Sequence, residues 1–113
     1  MAEDRLVDAR QDARSAIERY DALDRKQKMD AGVLKRHATE IHGALDSLVQ
    51  ETERHYDGGV PGEVEERRST AREALGEFED PTIFDHAQHV RRACFVLRQQ
   101  ADSLLGVLER QPD

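Results

Sequence analysis

From Asp80 to Asp113, apolar positions recur at helical spacing on one side, with Ile83, Val90, Leu97, Leu104 and Leu108, while Phe84 and Phe95 fall on the opposite side. A helix that is apolar on two faces cannot lie at the rim of a monomer with half of it in water. The pattern therefore predicts one helix over about 81–110, surrounded by a bundle and by a second copy of the protein. Phe84 and Phe95 are eleven residues apart, hence about 20° apart on a helix, and with Val96 at the margin they form the expected interface strip.

Three further helices follow from period and punctuation. Over about 3–27 the stripe is thin: Leu6, Ala13, Ile17 and Tyr20, with Arg10 and Asp24 in the same phase. A turn near Lys28 to Asp30, with Asp30 as N-cap, opens a second helix over about 30–56. Its face is richer, with Leu34, Ala38, Ile41, Leu45, Leu48 and Thr52 in phase. Asp57-Gly58-Gly59-Val60-Pro61 ends it with glycines suited to a left-handed cap and a proline that starts a third helix, about 61–79. That helix carries Val64, Ala71, Leu75 and Phe78, interrupted by Arg68. Asp80-Pro81 closes it and caps the fourth. Short links make sequential helices antiparallel neighbours, so residues 1–113 are expected to form one all-α domain. Its fold is an antiparallel up-down-up-down four-helix bundle, dimerised through the C-terminal helix.

Composition narrows the partners. The formal net charge of -7 disfavours nucleic-acid backbones and anionic membranes, both of which reward lysine and arginine. Charged residues make up 36% of the chain, so the core is a seam between helices and the surface is heavily solvated. Only Lys26, Lys28 and Lys35 are lysines among 17 basic residues, an acidic, arginine-preferring balance that suits a halophilic source. The single cysteine, Cys94, and the absence of a signal-like or membrane-length apolar run lead to the expectation of a reducing cytoplasm.

Chemistry is sparse. In the expected bundle, His37, His86 and His89 are each one or two turns from a helix start and share one end, which would let them hold a divalent metal. The Glu-x-x-His pairs of bundle di-metal sites are missing, and filling the ends of a narrow core is the ordinary role for such residues. His42, followed by Gly43, resembles the histidine of a phosphotransfer domain. The next positions, Ala44, Leu45 and Asp46, lack the basic residue and glycine of that pattern. Arg36 and His42 also resemble the arginine-spacer-histidine pattern of small helical RNA-cleaving domains, a match that an arginine-rich chain with five histidines produces by chance. Cys94 has no histidine on its own face and reads as a small hydrophobe. Arg10 and Arg68, on otherwise apolar stripes, are expected to pair with carboxylates such as Glu109 or Glu51. With no catalytic residue and no cofactor signature, the expected function is association, as a homodimer or a module docking onto a protein partner.

Overall fold

The computed structural model describes residues 2–111, and the side chains of all of these except residues 2–4 and 81. The remaining positions of the expected domain, 1, 112 and 113, lie outside it. The chain forms four α-helices, α1 (Ala2–Asp21), α2 (Ala31–His55), α3 (Gly62–Glu77) and α4 (Ala87–Glu109). Two 3-10 turns, Gln27–Met29 and Pro81–Asp85, lie between them, and there is no strand among the described residues. No described helix is long and apolar enough to cross a membrane.

The helix ends are set by local hydrogen bonds. Helix α1 stops at Asp21, six residues before the expected end. Asp24 and Gln27 close a reciprocal box there: the Gln27 amide donates to Asp24 Oδ1 at 2.7 Å and the Asp24 amide to Gln27 Oε1 at 2.9 Å. That box supplies the 3-10 turn with the bonds a continuing helix would have made. Asp30 caps α2 as expected, accepting from the amides of Gly32 at 2.8 Å and Val33 at 3.2 Å. Among the described residues Gly58 alone takes a left-handed backbone, φ 79°, just past the end of α2.

The expected single helix over 81–110 is broken. Asp80 caps only the 3-10 turn, accepting from the Thr82 amide at 3.0 Å, and His86 is extended at φ -109°, ψ 124° before α4 begins at Ala87. A continuous helix would set Phe84 beside Phe95, pointing away from the core. The break turns Phe84 inward, where only 8% of it stays exposed. Burying a phenylalanine is worth about 1.5–3 kcal/mol, enough to outweigh a few lost helical bonds at about 0.5–1.5 kcal/mol each.

The core is the seam between α2 and α4. Leu34, Ile41, Leu45 and Leu48 of α2 and Val90, Leu97 and Leu104 of α4 are fully buried, and Thr52 joins them by returning its hydroxyl to the Leu48 carbonyl at 2.7 Å. Helix α1 covers one side with Leu6, Ala9, Ala13, Ala16 and Ile17, and α3 the other with Val64, Ala71 and Leu75, joined by Phe78 just past its end. Helices α1 and α3 make no contact with each other among the described residues. The wide apolar face of α4 is thus shared by α1, α2 and α3. The particle measures 42 × 24 × 22 Å.

Ion pairs stitch the rims. Asp21 takes two bonds from Arg98, at 2.9 and 2.8 Å, and Arg14 reaches Glu109. Glu63 pairs with Arg110 at 3.0 Å, Glu77 with Arg92, Glu40 with Arg19, and Asp85 with Lys35 at 3.1 Å.

Candidate functional site

Two neighbouring places on the surface combine exposed aromatic rings with basic side chains: the outer face of α4 and the junction that leads into it. On α4 the buried positions Val90, Ala93, Cys94, Leu97 and Ala101 face the seam. At about 100° per residue, Phe95 points almost directly away from them. It remains 64% exposed, while Phe78 and Phe84 are buried. Of the expected interface residues, then, Phe84 lies inside the chain, Val96 packs partly against the core, and Phe95 alone is presented to solvent.

The residues around Phe95 are basic or amide-bearing. Gln88, Arg91, Arg92 and Gln99 are exposed and Arg98 half-buried, all within two turns, and the first acidic residue beyond them on α4 is Asp102. Arg92 and Arg98 lean onto neighbouring helices through Glu77 and Asp21. Arg91 makes no ion pair among the described residues. The bond from Arg98 holds the Asp21 carboxyl below its ordinary range, and Asp21 in turn raises the Arg98 guanidinium. On a chain of net charge -7 this is a local reversal of sign.

At the junction, His86 and His89 sit with ring centroids 5.3 Å apart, edge to face, and both are exposed. Beside them Phe78, Ile83, Glu77, His89 and Arg92 line an open cleft of about 300 Å³, where the Arg92 guanidinium lies 5.4 Å from the centre of the Phe78 ring. His37 does not join this pair. It packs against Tyr20 of α1 at 6.3 Å between centroids, with its Nδ1 buried and without a partner. No group of three or more histidine, cysteine, aspartate or glutamate side chains among the described residues is placed to hold a metal ion. The trio of His37, His86 and His89 is therefore not assembled, because the inward turn of α2 that seats Leu34 and Ala38 in the core points His37 towards α1.

His42 is half-buried, with Nε2 bonded to the Leu75 carbonyl at 3.0 Å. The carbonyl only accepts, so Nε2 carries the proton and the nitrogen that a phosphotransfer histidine would present is engaged. Next to it, Asp46, Arg72, Gly76 and Glu79 line a second open cleft of about 310 Å³. Cys94 is fully buried. Its thiol donates to the Leu34 carbonyl at 3.3 Å, and burial pushes its pKa up to about 11, so it is neither a thiolate nor accessible. Arg68 does pair with carboxylates, but with Glu53 at 2.8 Å and Glu65, while Glu109 is taken by Arg14 and not by Arg10. Glu53 bridges Arg68 and Arg72. Burial alone would raise its pKa, but the two arginine bonds prevail and lower it. The signal that sequence reading missed is the extended backbone of His86, since nothing in Asp-His-Ala marks a helix break.

Comparison with protein-family models, with curated proteins and with solved structures found no match to this chain.

Proposed function

We propose that the protein works by association, with an up-down-up-down bundle as the rigid support and the outer face of α4 as the docking surface. The single observation that carries this is Phe95, 64% exposed at the middle of a helix whose leucines are all buried. Antiparallel order is supported by the ion pairs. Asp21 with Arg98 and Arg14 with Glu109 run in opposite directions along α1 and α4, as do Glu77 with Arg92 and Glu63 with Arg110 along α3 and α4.

The surroundings of Phe95 favour an acidic protein partner over a symmetric copy. A two-fold axis through Phe95 would bring the Arg91 of both copies, which have no carboxylate partner among the described residues, close together, and like charges across an interface oppose docking. One phenylalanine per copy is also a small anchor for a stable dimer, which needs about 800 Å² from each partner. An acidic segment carrying an apolar side chain meets both features: the side chain covers Phe95 and its carboxylates meet Arg91.

The test is nuclear magnetic resonance titration of the whole protein with a designed acidic helical peptide that presents a tryptophan, at low and at high salt. Shifts are expected to centre on residues 88–102, to weaken with salt, and to vanish in Phe95→Asp. Light scattering on the same samples addresses the homodimer. A concentration-dependent dimer that Phe95→Asp dissolves would replace the acidic partner with a second copy. A wild type that stays monomeric and ignores the peptide would end the association reading on this face.

A further inference from the structure

His86 and His89 are joined by one turn of chain, and the geometry points to a two-imidazole chelate there for a divalent late transition ion, copper or nickel before zinc. This site is separate from the Phe95 face and does not rest on it. With metal–imidazole bonds of about 2.0–2.1 Å and ring nitrogens roughly 1.1 Å from their centroids, two imidazoles on one ion at roughly 90–110° hold their centroids about 4.5–5.2 Å apart. The observed separation is 5.3 Å. Both side chains are exposed, so rotation about their own bonds is the movement that would bring a nitrogen of each ring onto a common ion.

Both rings are free to make that rotation. His86 occupies the N-cap position of α4 but makes no capping bond with its side chain, and neither imidazole hydrogen-bonds a protein group among the described residues. The cations nearby are already neutralised, Arg92 by Glu77 and Lys35 by Asp85. The positive end of α4 works against a bound cation and keeps the affinity modest. With two protein nitrogens and water in the other positions, the coordination suits the tetragonal preference of copper and nickel better than the three or four protein ligands that zinc usually takes.

The position of the pair gives the chelate a structural consequence. His86 is the extended link between the Pro81–Asp85 turn and α4, whereas His89 lies in the first turn of α4. An ion held by both would pin the link to the helix and fix Ile83 and Phe78 as walls of the adjoining cleft. Binding would therefore raise the melting temperature by mass action on the folded state.

Calorimetric titration of the full chain with copper, nickel and zinc ions in turn tests the site, with copper-induced broadening of amide resonances to locate it. One saturable site is expected, in the order copper, nickel, zinc, with broadening centred on residues 83–92. Either His86→Ala or His89→Ala should weaken it by about tenfold or more, since even groups behind the ligands cost that much elsewhere. His37→Ala should leave the affinity unchanged, and metal should raise the melting temperature of wild type but not of the two variants. Both rings are exposed and lie outside the buried core, so both variants are expected to keep the wild-type circular dichroism spectrum. Equal affinity in wild type and the double variant, or broadening centred on His37, His42 or His55, would overturn the assignment.

Discussion

Helices α2 and α4 and helices α1 and α3 are held in different ways. The first pair meets through leucine, isoleucine and valine with almost no exposure, and Leu45, Leu48, Leu97 and Leu104 are each at 0%. The second pair lies on the flanks, where α1 offers three alanines among its five buried residues and α3 relies on Val64, Leu75 and a ladder of arginine–carboxylate pairs. The contrast shows how a chain with 36% charged residues makes a core at all. Two helices carry most of the hydrophobic driving force, and the other two add fewer large residues, with alanines that allow close approach and polar rims that stay in water.

The largest expected effect tests the central pair. Leu45→Ala or Leu97→Ala should each destabilise by about 2–5 kcal/mol in chemical denaturation, and Leu6→Ala near the start of α1 by clearly less, because that end can relax or admit water. Equal losses at all three positions would abolish the distinction between centre and flank. Next comes the alanine stripe. Ala16 is at 0% exposure, so Ala16→Leu should cost about 1–3 kcal/mol by forcing α1 off its neighbours, whereas a surface position such as Asp12 should accept leucine with little change. A neutral Ala16→Leu would mean that α1 is loosely seated.

Smaller still are the rim pairs, which are at least partly in water and contribute about 0–1 kcal/mol each. Asp21 and Glu53 have folded pKa values below their ordinary range, so their contribution is present above that range and is lost as pH falls through the folded values. Arg68→Ala and Arg98→Ala should therefore lower stability slightly at neutral pH, and the difference from wild type should shrink as pH falls through the lowered folded values of the carboxylates. A pH-independent loss would assign these arginines to packing by their stems. The smallest effect belongs to Phe95→Asp, expected to change stability by no more than about 0.5 kcal/mol while removing the docking of an acidic peptide. A large loss of stability there would show that Phe95 supports the fold.

The parts of this architecture that were readable in advance rest on bonds between near neighbours. Asp30, Gly58 and Asp80 each do what their residue type does at a helix end, and the stripe of α2 needs only periodicity. The break at His86 was not readable because no local breaker causes it. It exists because Phe84 gains more from burial than from extending α4, and that gain depends on helices far away in sequence. The same holds for the histidines. His86 and His89 are brought together by their spacing alone, while the separation of His37 depends on how α2 is rolled against α1. The Asp24–Gln27 box was visible as a spacing but lay in a stretch read as continuous helix, and Arg68 chose Glu53 over Glu51 because helix rotation, not proximity in number, decides which carboxylate faces it.

The bonds from Arg98 to Asp21 span 77 positions of sequence. During synthesis at about 5–20 residues per second, that interval lasts about 4–15 s after Asp21 has been made. For that time α1 and α2 can meet as a hairpin, but the side of its leucine seam that α4 covers in the folded chain has no partner. The nascent chain must therefore stay soluble with that side of Leu34, Ile41 and Leu45 uncovered, and like-charge repulsion from the charged outer face of α1 is the means this hairpin has of keeping apart from others like it.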